Sequence, residues 1–290
     1  MKVVGFTFIR NAIKYDYPIV EAIQSILPLC DEVIVAVGNS EDDTLELIQS
    51  IAPDKIKIIE TVWDDSLRKN GKVLAIETNK AFAAVSSDAN WAIYIQGDEV
   101  IHEQYHDVIR REMMKHHTDH KVDGLLFKYL HFYGSYDFVG VTDNWYPYEI
   151  RIIKNDKSIY SYNDAQGFRK ANNEKLKVKE IDAYVYHYGW VKEPKAMQKK
   201  KLDFNKMYHD DEWIDRNVAK VEDFDYVKGI SALNLFEGSH PKVMIDRIED
   251  RNWKFDYDIS FNNISWKYRI KNFLRGYLGL DFSHKNYIRL

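Results

Sequence analysis

Residues 90 to 104 read NWAIYIQGDEVIHEQ. The apolar run from Trp91 to Ile95 gives way at once to Gln96, Gly97, Asp98 and Glu99. Such a run suits a strand buried on both faces, as in a parallel sheet covered by helices. It delivers its polar residues to the carboxyl end, where open α/β sheets bind ligands. Oxygen-bearing acids at that end suit a hard divalent cation, and a glycine beside them lets a phosphate approach closely. A plain turn whose acids start the next helix is the competing reading of the same residues.

Upstream, Val3 to Ile9, Val33 to Val37 and Lys55 to Glu60 repeat the strand pattern. Between them lie helical stripes. Ile19, Ala22, Ile23, Ile26 and Leu27 follow Pro18, which is allowed at a first helical position. Leu45, Leu47, Ile48 and Ile51 follow Ser40 and Asp43, which have capping-box spacing. A third helix is predicted from about Lys72 to Val85. This alternation predicts an α/β fold, a mainly parallel sheet with helices on both faces. From Gly124 to about Tyr188 the chain changes to short aromatic pieces, LLFKYLHFYG, EIRIIKN, SIYSYN and AYVYHYGW. These predict an antiparallel extension of the sheet. After Pro194 the sequence becomes helical and charged, so a catalytic unit over 1–192 and a helical extension over 193–290 are expected.

Composition narrows the function classes. Across 290 residues, 41 Lys and Arg stand against 45 Asp and Glu, a net charge of −4, which excludes a generally basic nucleic-acid binder. A hydrophobic share of 45% excludes an acidic disordered chain. The lone Cys30 cannot close a disulfide within the chain, and MKVVGFTFIRNAIKYD has no signal-peptide pattern, so a cytoplasmic setting is expected. No apolar stretch approaches the roughly 18 residues needed to cross a bilayer, so membrane contact would be peripheral.

Four pieces stand in order along the chain: FIRN with Arg10 and Asn11, DEVIVAVGNSEDDT from Asp31 to Thr44, YIQGDEV from Tyr94 to Val100, and VYHYGWV around His187. Over roughly residues 1 to 195 the sequence resembles the glycosyltransferases of the GT-A fold, in particular family 2 with its bacterial polysaccharide and lipopolysaccharide members. The resemblance implies a UDP-, GDP- or dTDP-sugar donor and Mn2+ or Mg2+ held by Asp98, Glu99 and His187. The donor would be met by Arg10, Asn39, Ser40, Asp42, Gln96 and Gly97. Arg68 and Lys72 flank Asn70 and Gly71 at a helix start, where backbone N–H groups favour anions, so Lys72 joins that set. The sequence departs from the family at Val37 and Gly38, where an aspartate is common, and at Gln96, where the metal motif usually begins with an acid.

In glycosyl transfer the bond to the diphosphate breaks as an oxocarbenium-like centre develops, and a metal stabilises the departing charge. An inverting reaction also needs a carboxylate to take the acceptor's proton. After the Arg151, Ile152, Ile153 strand, Asp164 lies nearest the position the family implies, with Glu149 as the fallback. Each residue also has a plain reading: Asp164 as a turn residue, His187 as a half-buried strand histidine, and Asp42 as a helix-start acid. Tyr129, His131, Phe132, Tyr133, Tyr136, Trp145, Tyr146 and Tyr148 would suit the faces of an acceptor sugar or form a packed layer. His116, His117 and His120 read as an exposed charged turn rather than a metal cluster.

The leading expectation is a metal-dependent, inverting glycosyltransferase acting on a glycan or lipid-linked acceptor. A sugar nucleotidyltransferase is disfavoured, because FIRNAIKYDYP lacks the glycine-rich loop of that class. A non-catalytic sugar or nucleotide binder is the third class. The stretch from Trp266 to Leu290 holds six basic residues against Asp281, a local charge of +5. Trp266, Ile270, Phe273, Leu274 and Tyr277 recur there at helical spacing, which suits either an anionic membrane surface or packing on the body of the protein.

Overall fold

The computed structural model of the chain describes residues 1–142, 144–218, 221–228, 230–261, 264, 266–278 and 285–290. The first half alternates strand and helix: β1 (Val3–Ile9), α1 (Ile19–Ile26), β2 (Glu32–Gly38), α2 (Thr44–Ile51), β3 (Ile56–Thr61), α3 (Lys72–Ala83), β4 (Trp91–Tyr94), β5 (Glu99–Ile101) and α4 (His106–Lys115). Strands then dominate: β6 (Gly124–Tyr133), β7 (Phe138–Gly140), β8 (Tyr148–Lys154), β9 (Tyr160–Ser161), β10 (Phe168–Lys170), β11 (Glu174–Lys175) and β12 (Lys177–Trp190). The rest contributes α5 (Pro194–Lys206), α6 (Asp211–Asn217), β13 (Leu233–Leu235), α7 (Ile245–Glu249), α8 (Trp266–Leu278) and β14 (Ile288–Arg289).

Four parallel strands in the order β3-β2-β1-β4 make one half of the main sheet. Antiparallel β8 and β6 continue it, and β7 and β13 extend it further. The molecule is therefore mixed α/β with a largely parallel first half and an antiparallel extension. One pairing differs from the expected extension, because β12 runs parallel to β6. A parallel pair needs a long crossover. Here the segment from Gly134 to Leu176, folded into β7, β8 and the small β9-β10-β11 sheet, serves as that crossover.

Alternation along each strand fills two cores. One side packs Val33, Val35, Val37, Ile93 and Ile95 against Ile19, Ile23 and Ile26 of α1, Ile48 of α2, and Ile109 and Met113 of α4. The other side packs Val4, Phe6, Ile34, Ala36, Ala92 and Tyr94 against Ala81 and Phe82 of α3. Phe6 is fully buried between Phe82 and Tyr94, each ring centroid 5.2 Å away. Truncation of such a ring typically costs about 3–5 kcal/mol.

Two local expectations are corrected, and one open reading is decided. The capping box at Ser40 and Asp43 does not form, because Ser40 Oγ accepts from the Asn11 backbone N–H (3.0 Å) and Asp43 makes no side-chain cap bond. His116 is buried rather than exposed, and its carbonyl accepts from Lys154 Nζ at 2.6 Å. The aromatic group from Tyr129 to Tyr136 is a packed layer: Phe132 stacks on Tyr188 at 4.7 Å, and Tyr129, Phe132, Tyr133 and Tyr136 are all buried. No helix among the described residues is long and apolar enough to cross a membrane.

Candidate functional site

A cleft of about 830 Å³ opens beyond the carboxyl ends of β1 and β4. Its walls come from Phe8 to Asn11 at the end of β1 and just beyond it, Trp63 to Arg68 after β3, Gln96 to Asp98 after β4, Asp164, the last residues of β12 from His187 to Trp190, and α5. Backbone conformations around it are unusual. Asn11, Asp16, Asn70, Asn163 and Ala165 all have φ between 49° and 63°. Left-handed backbone costs a residue with a Cβ about 1–2 kcal/mol, and Ala165 lacks the local hydrogen bonding that eases it for asparagine. Such strain collects at functional sites.

Asp98 stands at the centre. Its backbone carbonyl accepts from Tyr188 N (2.8 Å), which locks the β4 end to β12. Its carboxylate receives Lys200 Nζ at 3.0 Å and lies 3.7 Å from His187 Nε2. Burial alone would raise the carboxyl's pKa, but the positive charges around it, Lys200 foremost, outweigh burial and hold Asp98 well below the usual carboxylate range. Gly189 makes this approach feasible: a Cβ there would come within 2.7 Å of the His187 imidazole and 2.8 Å of Asp98 Oδ2.

His187 is oriented by a second histidine. His131 Nε2 faces the Tyr146 carbonyl at 2.8 Å, a pure acceptor, so that nitrogen carries the proton. Burial and the neighbouring His187 push His131 down to about 3, so its ring is neutral and Nδ1 accepts. His187 Nδ1 must then donate across the 3.1 Å gap. Burial also lowers His187, so the neutral ring presents an unprotonated Nε2 on the Asp98 side.

Glu99 turns the other way. Its two oxygens accept from Arg151 Nη2 and Nε, both at 2.7 Å, and Oε1 also accepts from Tyr129 Oη at 2.8 Å. Both side chains of this ion pair are fully buried. Arg151 lies between the Tyr94 and Tyr129 rings, 5.2 and 5.3 Å from their centroids. Glu99 is therefore not placed to share a ligand with Asp98.

Among the other residues singled out by sequence, Arg10, Gln96, Gly97 and Asp164 line the cleft, while Asn39, Ser40, Asp42, Lys72 and Glu149 are not part of its wall. Arg10 is bidentate to Asp65 (2.6 and 3.3 Å) and donates from Nε to the Asn39 carbonyl (3.1 Å). Gln96 donates both amide hydrogens, to Tyr94 Oη (3.3 Å) and the Ala165 carbonyl (3.1 Å), and so straps the β4 end to the Asp164 loop. Asp42 caps the Lys14 backbone N–H at 2.7 Å, and Lys72 is exposed. Glu149 is buried with Gln166 on Oε1 at 3.0 Å, and burial pushes its pKa up to about 8.

The residues present do not fit a divalent cation. Asp98 and His187 are the only two of the expected donors that meet, and the Lys200 ammonium already occupies Asp98 Oδ2. Among the described residues no group of three or more His, Cys, Asp or Glu side chains comes together to hold a metal ion. Sequence reasoning missed Lys200, Trp63 and the Asp64–Asp65 pair. The signal for Lys200 was present, since Met197, Lys200, Lys201 and Phe204 recur at helical spacing on the side of α5 that lines the cleft.

No protein-family model matches the chain, and no curated protein does. Among solved structures it is similar to S. aureus TarS (17% identity over 70% of this chain and 38% of that one, TM-score 0.42). It is similar also to S. aureus TarS 1–349 in complex with UDP (16% identity over 70% and 64%, TM-score 0.41). A third similarity is to glucosyl-3-phosphoglycerate synthase from Mycobacterium tuberculosis in complex with Mn2+, UDP and phosphoglyceric acid (18% identity over 45% and 43%, TM-score 0.30). The chain spans less than two thirds of the length of these TarS chains.

Proposed function

We propose that the chain is a glycosyltransferase that draws a sugar from a nucleotide-activated donor. The observation carrying this reading is the cleft itself. One wall holds Asp98 beyond β4 together with His187 of β12 and Lys200 of α5, and another holds Asp164 on a loop strained at both Asn163 and Ala165. The donor's nucleotide lies toward Arg10 and Trp63, and its sugar diphosphate lies toward Gln96, Gly97 and Asp98. As the sugar leaves, positive charge grows at its reacting carbon and negative charge on the diphosphate, so fixed cations at the cleft stabilise the change. Asp164 takes the acceptor hydroxyl's proton from the opposite side, which inverts configuration. Glu149 is the weaker candidate for that step, because it is buried away from the cleft wall. Mn2+ or Mg2+ would have only Asp98 and His187 to meet, and no step is assigned to it.

The acceptor is read as a glycan or a lipid-linked sugar, as in the family 2 members that the sequence resembles. Helix α8 supports a site of action at an anionic membrane surface. Tyr268 Oη donates to the Val141 carbonyl, while Trp266, Ile270, Phe273 and Tyr277 are 49–79% exposed beside the exposed Arg269 and Lys271. Replacing Phe273 and Tyr277 by Glu should abolish salt-sensitive flotation with anionic vesicles, and equal flotation of the variant would remove the membrane from this reading. The deciding experiment for the function is slow hydrolysis of UDP-, GDP- and dTDP-sugars by the whole chain. Turnover of one donor class that drops at least about 100-fold in Asp98→Asn supports the reading, and the absence of both binding and turnover with every donor overturns it.

A further inference from the structure

Resting on the proposed function, the question is what positive charge meets the diphosphate. Most cations around the cleft are held by nearby acids. Arg10 is bidentate to Asp65, Lys14 Nζ lies 2.8 Å from Glu41, Arg68 Nη2 lies 2.7 Å from Asp211, and Lys206 Nζ lies 2.6 Å from Asp203. Asp65, Glu41 and Asp211 are 64–79% exposed, so their pairs are weak and rearrange easily, and Lys206, the partner of the half-buried Asp203, is itself 55% exposed.

Lys200 is different in kind. Its side chain is 14% exposed, and its ammonium donates to Asp98 Oδ2 and to the Gly189 carbonyl, both at 3.0 Å. The Tyr17 ring centroid lies 4.8 Å away. The charge is thus fixed at the carboxyl end of β4 by three elements at once, on the very carboxylate that sequence alone assigns to a metal. An ammonium has three donors and no need of an oxygen cage, so it serves an anion where the donor set for a divalent ion is incomplete.

We propose that Lys200 takes the place of the divalent cation: held by Asp98, its ammonium meets the diphosphate of the nucleotide donor, and donor binding is independent of metal. Asp98 is then a positioning residue for Lys200. Transfer leaves both electrons of the broken sugar–oxygen bond on the diphosphate, whose added negative charge falls beside the ammonium, and the acceptor oxygen supplies the new bond.

The test is calorimetric titration of the full chain with UDP, GDP and dTDP, in excess EDTA and again with Mn2+. The preferred nucleotide should bind with the same affinity, within about threefold, under both conditions. Lys200→Met should weaken binding in EDTA by at least about tenfold, the size expected for losing a charge-assisted hydrogen bond. Lys200→Arg keeps the charge and should retain most binding in EDTA, and it serves as the readout if Lys200→Met fails to fold. Wild-type binding that disappears in EDTA, or Lys200→Met binding unchanged in EDTA, overturns the proposal while leaving the nucleotide-sugar reading intact. Failure of every nucleotide under both conditions overturns the two together.

Discussion

Asp98 and Glu99 are neighbours in sequence and carry the same charge, yet they live in opposite electrostatic worlds. Asp98 looks into an open cleft and shares Lys200 with it, while Glu99 is sealed beneath the strand end on Arg151 with no exposed side-chain area. The alternation of side chains near a strand end separates them. The difference teaches that one acid of the pair holds the molecule together and the other holds a cation at the cleft. A buried ion pair is strongly destabilising when one partner is removed, because the remaining charge has no water to return to. A cleft acid loses less structure when neutralised.

The largest effect that would sharpen this contrast is on stability. Arg151→Met should destabilise the chain by about 3–5 kcal/mol in urea unfolding, since Glu99 is left buried and uncompensated. A loss below about 1 kcal/mol would erase the distinction between the two acids. Next comes Asp98→Asn, expected to lower donor turnover by at least about 100-fold, about 2.7 kcal/mol at the transition state, while the unfolding midpoint stays close to wild type. Unfolding of that variant under the same conditions would make Asp98 structural as well.

Asp164→Asn should abolish transfer to an acceptor and retain nucleotide binding measured by titration. Joint loss of both would mean that the strained loop, rather than its carboxylate, is what matters.

The smallest effect concerns Glu149, a second buried acid, whose folded pKa of about 8 lies above its ordinary 4.5. Its protonated form is neutral, so it imposes no penalty at low pH. As pH rises from about 4.5 toward 8 the unfolded chain releases this proton more readily than the folded chain, and stability declines across that window. Glu149→Gln should remove this slope and be more stable than wild type above pH 8 by at least about 1 kcal/mol, measured by urea unfolding across the range. Parallel pH curves for the two proteins would place the Glu149 proton outside the folding equilibrium.

The fold was legible where the information is local. Val3–Ile9, Glu32–Gly38 and Trp91–Tyr94 are apolar runs bounded by polar turns, and a run that must be buried on both faces has few other places to go. Asp98 was visible for the same reason, as a polar residue just beyond such a run, whereas His187 stands among alternating aromatics and was singled out only by the resemblance of VYHYGWV to a known family. What stayed hidden depends on pairs far apart in the chain. Arg151 reads as one more residue of a β-type strand until β8 and β4 are brought side by side, when it reaches Glu99. Lys200 is one lysine in a run of three, and its bonds to Asp98 and the Gly189 carbonyl, made only once α5 is seated, set it apart from Lys199 and Lys201. The aromatic cluster read equally as a sugar site or a packed layer, because packing and carbohydrate contact favour the same side chains. Burial distinguished the two.

The parallel pairing of β6 with β12 also has a kinetic consequence. Asp98 and Lys200 lie 102 positions apart and are joined only after β12 has been laid beside β6 across its long crossover. Distant pairings pay their loop-closure entropy before any contact repays it, and they form slowly. In refolding from urea, pulse-labelled amides of β1 and β2 should gain protection before those of β12, and the capacity to bind nucleotide should return with the later phase. A chain emerging in order would accordingly possess its sheet for some time before it possesses its chemistry.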